Sequence, residues 1–349
     1  MTKRGQKSKK RNWEAGKRPI TNPTVPSILD AMEDGNEYGS IVSKNPANPN
    51  VIPDIRRALS EIEKVRSRKC LCYIANVVKP SNYSSISDID DLPFNEMVSK
   101  VPNDVKSIDI MVVTNGGSAQ QVAQFADTLR PRFDSVEFIL PYKCMSAGTL
   151  WVLSGDRIWM DERAFLGPID PQEPIKDGTY VPSQAILTLV KMIQAEGQSY
   201  VTKGQSIPWS LVRLLDNIDH RRLGNAMTIT NYVKSMAAEF LINHKFKTWE
   251  THSSSGLPVT GDDRKRRADE VASLLASSDR WKSHGHGLSR EVVENELRIK
   301  VDRVESVPNF QRALRRFWAM LYWTFDRSPA AKMTLSQEYC LIRNVPQAE

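Results

Sequence analysis

The chain has 349 residues, 40% of them hydrophobic, enough for one large domain with additions or for two domains. Its formal charge of +7 sits in residues 1–20, where Lys3, Arg4, Lys7, Lys9, Lys10, Arg11, Lys17 and Arg18 face only Glu14. The rest is neutral overall and gives no electrostatic case for nucleic acid. No apolar run approaches the roughly 20 residues that span a bilayer, and no apolar signal core stands near residue 1, so a cytoplasmic protein is expected.

Residues 1–22 read as a basic disordered tail with the capacity to touch an acidic partner, and 23–52 as a linker or arm with a short helix around Ile28 to Met32. Ile55, Ala58, Leu59 and Ile62 mark an amphipathic helix, followed by a buried strand from Cys70 to Val78. Cys70 and Cys72 alternate along that strand and share a face; they and Cys144 and Cys340 show no paired metal spacing. Lys79 to Pro93 is rich in Pro, Ser and Asn. Asp88, Asp90 and Asp91 there lack a calcium-loop Gly and a His partner, so they read as a solvated loop.

Next comes an ordered run: a strand from Ile108 to Thr114, Asn115-Gly116-Gly117, an amphipathic helix on Val122, Phe125, Ala126 and Leu129, and a strand from Val136 to Leu140. Ser146 then precedes a helix from Ala147 to Leu153, a strand from Arg157 to Met160 and the turn Leu166-Gly-Pro-Ile-Asp-Pro-Gln172. The alternation implies βαβ units and a largely parallel sheet. Residues 183 to about 280 read as a helical insertion. From Phe310 onward Leu314, Phe317, Trp318, Leu321 and Phe325 recur at helical spacing, so 306–349 reads as a C-terminal helical segment serving as core or oligomer interface.

By itself, Gly-Gly after a strand is a tight turn, and Ser before a helix is an N-cap. Together they suit acyl transfer, in which a hydroxyl nucleophile needs a base and the oxyanion needs preorganised N–H donors. Thr114-Asn-Gly-Gly117, Met145-Ser-Ala-Gly-Thr149 and Leu166-Gly-Pro-Ile-Asp-Pro-Gln172 resemble the signature of the serine dehydrogenase proteinase family, related to signal peptide peptidase A in the ClpP/crotonase superfamily. Ser283-His-Gly-His-Gly-Leu-Ser-Arg-Glu291 adds a fainter match.

The resemblance implies an α/β, ClpP/crotonase-like fold of repeated ββα/βαβ units with a helix-rich C-terminal part, its protease domain spanning 53–305. It implies a peptide-bond hydrolase with Ser146 as nucleophile, Gly117 and Ala147 as oxyanion donors and Gly116 shaping the turn. It also implies a homo-oligomer acting on peptide or protein substrates, with room for a regulatory partner.

No His lies between Ser146 and His220, so a ClpP-spaced triad is not expected. Lysine-dependent relatives point to Lys191, within Leu189-Val-Lys-Met-Ile193, as the base of a Ser-Lys mechanism. The apolar face set by Ile186, Leu189, Val190 and Ile193 turns Lys191 away from its centre, as a solvated lysine would be. Lys143, Asp170 and His284 are the other candidates, as orienting groups or groove residues.

His284-Gly-His286 lacks the further ligands of a zinc site, and no Walker A or Gly-x-Gly-x-x-Gly loop occurs, so neither metal nor cofactor is expected. Two rival readings remain: a crotonase-like acyl-CoA enzyme on the same oxyanion geometry, and a scaffold that keeps the fold without efficient catalysis.

Overall fold

A computed structural model describes residues 27–45, 51–174, 180–252 and 255–346. The basic tail of 1–22 lies outside the described residues, as do parts of the 23–52 segment.

In chain order the elements are α1 (Ile28–Ala31), α2 (Glu37–Lys44), α3 (Val51–Arg66), β1 (Lys69–Ala75), α4 (Asp91–Ser99), β2 (Ser107–Val113), α5 (Ala119–Leu129), β3 (Ser135–Leu140), β4 (Lys143–Cys144), α6 (Ala147–Val152), β5 (Arg157–Met160) and β6 (Phe165–Leu166). There follow β7 (Gln172–Pro174), β8 (Tyr180–Pro182), α7 (Gln184–Thr202), α8 (Trp209–Asp216), α9 (His220–Phe240), α10 (Gly261–Leu275), α11 (Ser278–Trp281), β9 (Leu288–Ser289), α12 (Arg290–Asn295), β10 (Asp302–Arg303), α13 (Phe310–Arg327), β11 (Ala330–Leu335) and β12 (Cys340–Asn344). The seven-stranded sheet runs β10-β5-β3-β2-β1-β11-β12. The pairs from β10 to β1 are parallel, and β11 and β12 close the far edge antiparallel.

Strand side chains alternate between faces, so each parallel strand, nearly all apolar, feeds two cores. Leu71, Tyr73, Ile110, Val112, Phe138 and Leu140 face α4, α5, α6 and the later helices, while Cys70, Cys72, Ile74, Met111, Val113 and Ile139 face α1, α3 and α13. The Cys70 and Cys72 sulfurs, both free thiols, lie 4.0 Å apart on that second face.

The 23–52 segment is more than a linker. Ile28, Leu29, Met32 and Ile41 are fully or almost fully buried, because α1 and α2 pack with α13 over the second face of the sheet. Asp54 fixes the start of α1, accepting from the Ile28 N–H at 2.6 Å and the Ser27 hydroxyl at 2.8 Å. The aromatic stripe of α13 is buried inside this chain against α3, and the helix leads into the β11–β12 hairpin rather than into further helix.

The 183–280 insertion divides in two. Ile186, Ile193, Leu211, Ile218 and Ala226 form a small separate cluster, whereas Val233 to Leu241 and the buried face of α10 join the main core. Among the described residues no helix is long and apolar enough to cross a membrane.

Candidate active site

The site lies beyond the carboxyl ends of β2 and β3, where parallel sheets leave a crevice. Thr114 continues β2 by bridging Cys144, and its hydroxyl accepts from the Gly116 N–H at 3.0 Å. Gly116 and Gly117 then adopt φ of +108° and +146°, conformations that a side chain rarely permits. A Cβ on Gly116 would stand 2.6 Å from the Ser146 Cβ, and one on Gly117 would stand 2.2 Å from the Ile86 carbonyl oxygen.

Ile86 lies alongside the Gly-Gly turn. Its N–H donates to the Gly116 carbonyl and its carbonyl accepts from the Ser118 N–H, both at 2.9 Å. Among the described residues no acceptor takes the Gly117 N–H. The Ala147 N–H, in the first turn of α6, is unpaired in the same sense. Ser118 caps α5, its hydroxyl accepting from the Gln121 N–H at 3.2 Å, so the turn ends in a fixed helix start.

Ser146 sits between β4 and α6 with φ +51° and ψ −119°, strained for a residue with a Cβ, and its side chain does not cap the helix. Packing holds it there. A Cβ on Gly148 would meet the Thr114 Cγ2 at 2.3 Å, and the Thr149 hydroxyl donates to the Cys144 carbonyl and accepts from the Gly167 N–H, each at 2.9 Å. In Ser-Ala-Gly-Thr, then, the first residue supplies a hydroxyl and the second an open N–H, while the third permits close approach and the fourth ties the segment to the next turn.

Asp170, in the Pro-Ile-Asp-Pro turn, is 1% exposed, and its carboxylate lies 2.8 Å from the His284 Nδ1 and accepts from the Gln172 amide at 2.8 Å. His284 comes from the Ser283-His-Gly loop before β9, 114 residues away in the chain, and is 27% exposed. It lines a cavity of about 520 Å³ that also holds Gly117, Ser146 and Ala147, with Leu150, Ile169, Ile229, Tyr232 and Val233 on the apolar walls. His286 instead stacks on Trp281 at 5.7 Å and does not line this cavity.

The two lysines stand elsewhere. Lys191 is exposed on α7 and is not among the residues lining this cavity. Lys143 lies in β4 with its carbonyl accepting from the Thr114 N–H at 3.1 Å; burial lowers its ammonium pKa, and it is not among the cavity residues either. The structure therefore brings together Ser146, Gly116, Gly117, Ala147, Asp170 and His284, and leaves Lys191 and Lys143 outside.

Sequence patterning misses Ile86 as the neighbour of Gly117; it offers Asp170 and His284 as separate candidates without their contact. Ser283-His-Gly is visible, but nothing local ties it to Asp170. Among the described residues no group of three or more His, Cys, Asp or Glu is arranged to hold a metal.

One uncharacterised protein of Methanocaldococcus jannaschii is 38% identical over 90 residues, 26% of this chain and 31% of its own length. A second from that organism is 28% identical over 165 residues, 46% of this chain and 51% of its own length. The chain thus spans about half or less of the curated relatives it matches. Among solved structures, a mutant of the 1510-N membrane-bound stomatin-specific protease superposes with TM-score 0.37 at 14% identity, covering 67% of this chain and 79% of that one. A ClpP1 mutant from Listeria monocytogenes gives TM-score 0.25 at 13% identity, covering 45% and 82%. Residues 82–201, which carry the Gly-Gly turn, Ser146 and the Pro-Ile-Asp-Pro turn, match the family described as ClpP-like SDH-type serine proteinase. That segment, about a third of the chain, is the part that is similar to this family.

Proposed function

We propose that this chain is a serine peptidase whose nucleophile is Ser146 and whose base is His284, oriented by Asp170, rather than a lysine. The observation that carries this reading is the 2.8 Å contact between the His284 Nδ1 and the buried Asp170 carboxylate at the wall of the Ser146 cavity. A carboxylate only accepts, so Nδ1 carries the hydrogen and Nε2 is left with its lone pair as the ring's acceptor. Nε2 takes the Ser146 proton as Oγ attacks the scissile carbonyl, and returns it to the leaving amine when the C–N bond breaks. A water then repeats the sequence on the acyl-serine, with Asp170 steadying the imidazolium each time. The Gly117 and Ala147 N–H groups bind the oxyanion.

A Ser-Lys mechanism through Lys191 finds no support in the position of that residue, which is exposed outside the cavity. Substrates are peptides or proteins, and the apolar walls favour an apolar side chain beside the scissile bond.

Intact-mass spectrometry after treatment with a broad serine-reactive fluorophosphonate tests this reading. We expect a single adduct on the wild type, none on Ser146→Ala, a labelling rate on the order of 10³-fold lower in His284→Ala, and an unchanged rate in Lys191→Ala. A rate that collapses in Lys191→Ala and survives in His284→Ala would return the base to lysine. An unlabelled wild type that binds coenzyme A saturably would instead favour a crotonase-like acyl-CoA enzyme.

A further inference from the structure

A second cavity, of about 910 Å³, opens at the amino ends of the parallel strands, the opposite end of the sheet from Ser146. Its wall includes Arg157 and Asp302 from β5 and β10, residues of α10, the segment just after α9, and Arg298 and Lys300. The volume falls in the range of small-molecule sites.

Its charges are unevenly paired. Arg157 holds Asp302 at 2.6 Å, Arg266 holds Asp263 at 2.6 Å and Arg267 holds Glu270 at 2.5 Å. Asp156 is engaged from outside the cavity by Arg130 at 2.9 Å. Lys245, Arg298 and Lys300 have no ion-pair partner among the described residues, and of the lining carboxylates only the exposed Glu250 is likewise unpaired. Three cations thus meet one carboxylate, and the other acids are already neutralised.

Lys245 is the informative member. It closes the π-turn Leu241–Lys245 that ends α9, a local widening that is often found at functional sites. Its half-buried ammonium makes a single long contact, 3.5 Å to the Asp156 carbonyl. Such a charge costs free energy unless an anion meets it. Next to it Phe246 and Trp249 pack with ring centroids 5.7 Å apart, supplying an aromatic wall.

We propose that this cavity is a binding site for a small phosphate-bearing anion, with Lys245, Arg298 and Lys300 as its ligands. Phosphate suits three converging cations because several oxygens accept at once. Either the free ion or an aromatic phosphate ester meets the cations, and the aromatic wall would favour the ester. The site is separate from the catalytic one. α9 joins them, carrying Ile229, Tyr232 and Val233 at the Ser146 cavity and reaching Lys245 roughly 18 Å further along.

Isothermal titration of the full chain with inorganic phosphate and with phenyl phosphate tests the site, using wild type, Lys245→Met, Lys300→Gln and Ser146→Ala. We expect one saturable site in wild type and Ser146→Ala, with binding about tenfold or more weaker in Lys245→Met and also weakened in Lys300→Gln. Lys300 is exposed, so its substitution leaves the fold intact if Lys245→Met does not. Tenfold tighter binding of phenyl phosphate assigns the ester class with Trp249 as its platform; equal affinities assign the free ion. No saturable heat with either probe, or affinities untouched in both lysine variants, overturns the proposal.

Discussion

At Gly116 and Gly117 the main chain passes so close to Ser146 and Ile86 that a single methyl group has no space, and both φ angles are positive. Gly116→Ala would press on the Ser146 Cβ and displace the proposed nucleophile. Gly117→Ala would push the Ile86 main chain away and turn the proposed oxyanion N–H. Each is expected to cost about 1–3 kcal/mol of stability and on the order of 10²–10³ in acylation rate, read by urea unfolding and by fluorophosphonate labelling of the same samples. A variant that loses stability but labels at the wild-type rate would remove these N–H groups from the mechanism.

Lys245 makes a pH prediction at the same scale. Burial, with Asp156 and Asp302 opposing it and Arg157 and Lys300 reinforcing it, lowers its pKa from 10.5 to about 8. Below pH 8 both folded and unfolded chains hold the proton, and the cost of burying it is fully present. Between pH 8 and 10.5 the unfolded chain binds more protons than the folded one, so the contribution of this group to stability rises with pH, by at most about 3 kcal/mol. Lys245→Met is expected to be more stable than wild type at about pH 7, with the gap narrowing at about pH 9.5 when urea midpoints are compared. An equal gap at both values would place the cost somewhere other than the charge.

At the scale of elements, β11 shows how the C-terminal hairpin serves the site. Lys332 is buried and donates to both Asp90 oxygens at 2.8 Å and to the Ser85 carbonyl at 2.7 Å, while Tyr73 and the Ser87 N–H donate to the same carboxylate. That network holds Ser85 to Ser87, and with them Ile86, against the Gly-Gly turn. Asp90 is therefore the anchor of a buried ion pair, where the aspartate run reads from sequence as a solvated loop. Lys332→Met removes one partner and leaves the carboxylate uncompensated, which is expected to cost about 3–5 kcal/mol in urea unfolding and to slow acylation of the folded fraction. If stability falls and acylation does not, Ile86 is held by its main-chain bonds alone.

At the scale of the whole molecule, the two ends of the chain build one face of the sheet. α1 and α2 precede the first strand, α13 and β11 follow the last parallel one, and they close over Cys70, Cys72, Met111 and Ile139 together. In this chain the aromatic stripe of α13 fills that layer from inside. The separate small cluster of α7, α8 and the start of α9 leaves Met192, Val201 and Trp209 among its exposed apolar side chains, so this layer has the thinnest core of the fold.

Local order is legible in the amino-acid chain alone. Alternating apolar strands and 3.6-period helices announce βαβ units because burial on two faces demands those patterns. The Gly-Gly turn and Ser146 are legible because their constraints, positive φ and an open N–H, act within a few residues. Contacts between residues far apart in the chain come from packing instead. Asp170 and His284 meet across 114 residues, Asp90 and Lys332 across 242, and no period or spacing encodes either contact. Lys191 shows the converse, since a helix seen in sequence has a polar side but no address: whether that side faces a cavity or water is settled by the elements that pack around it.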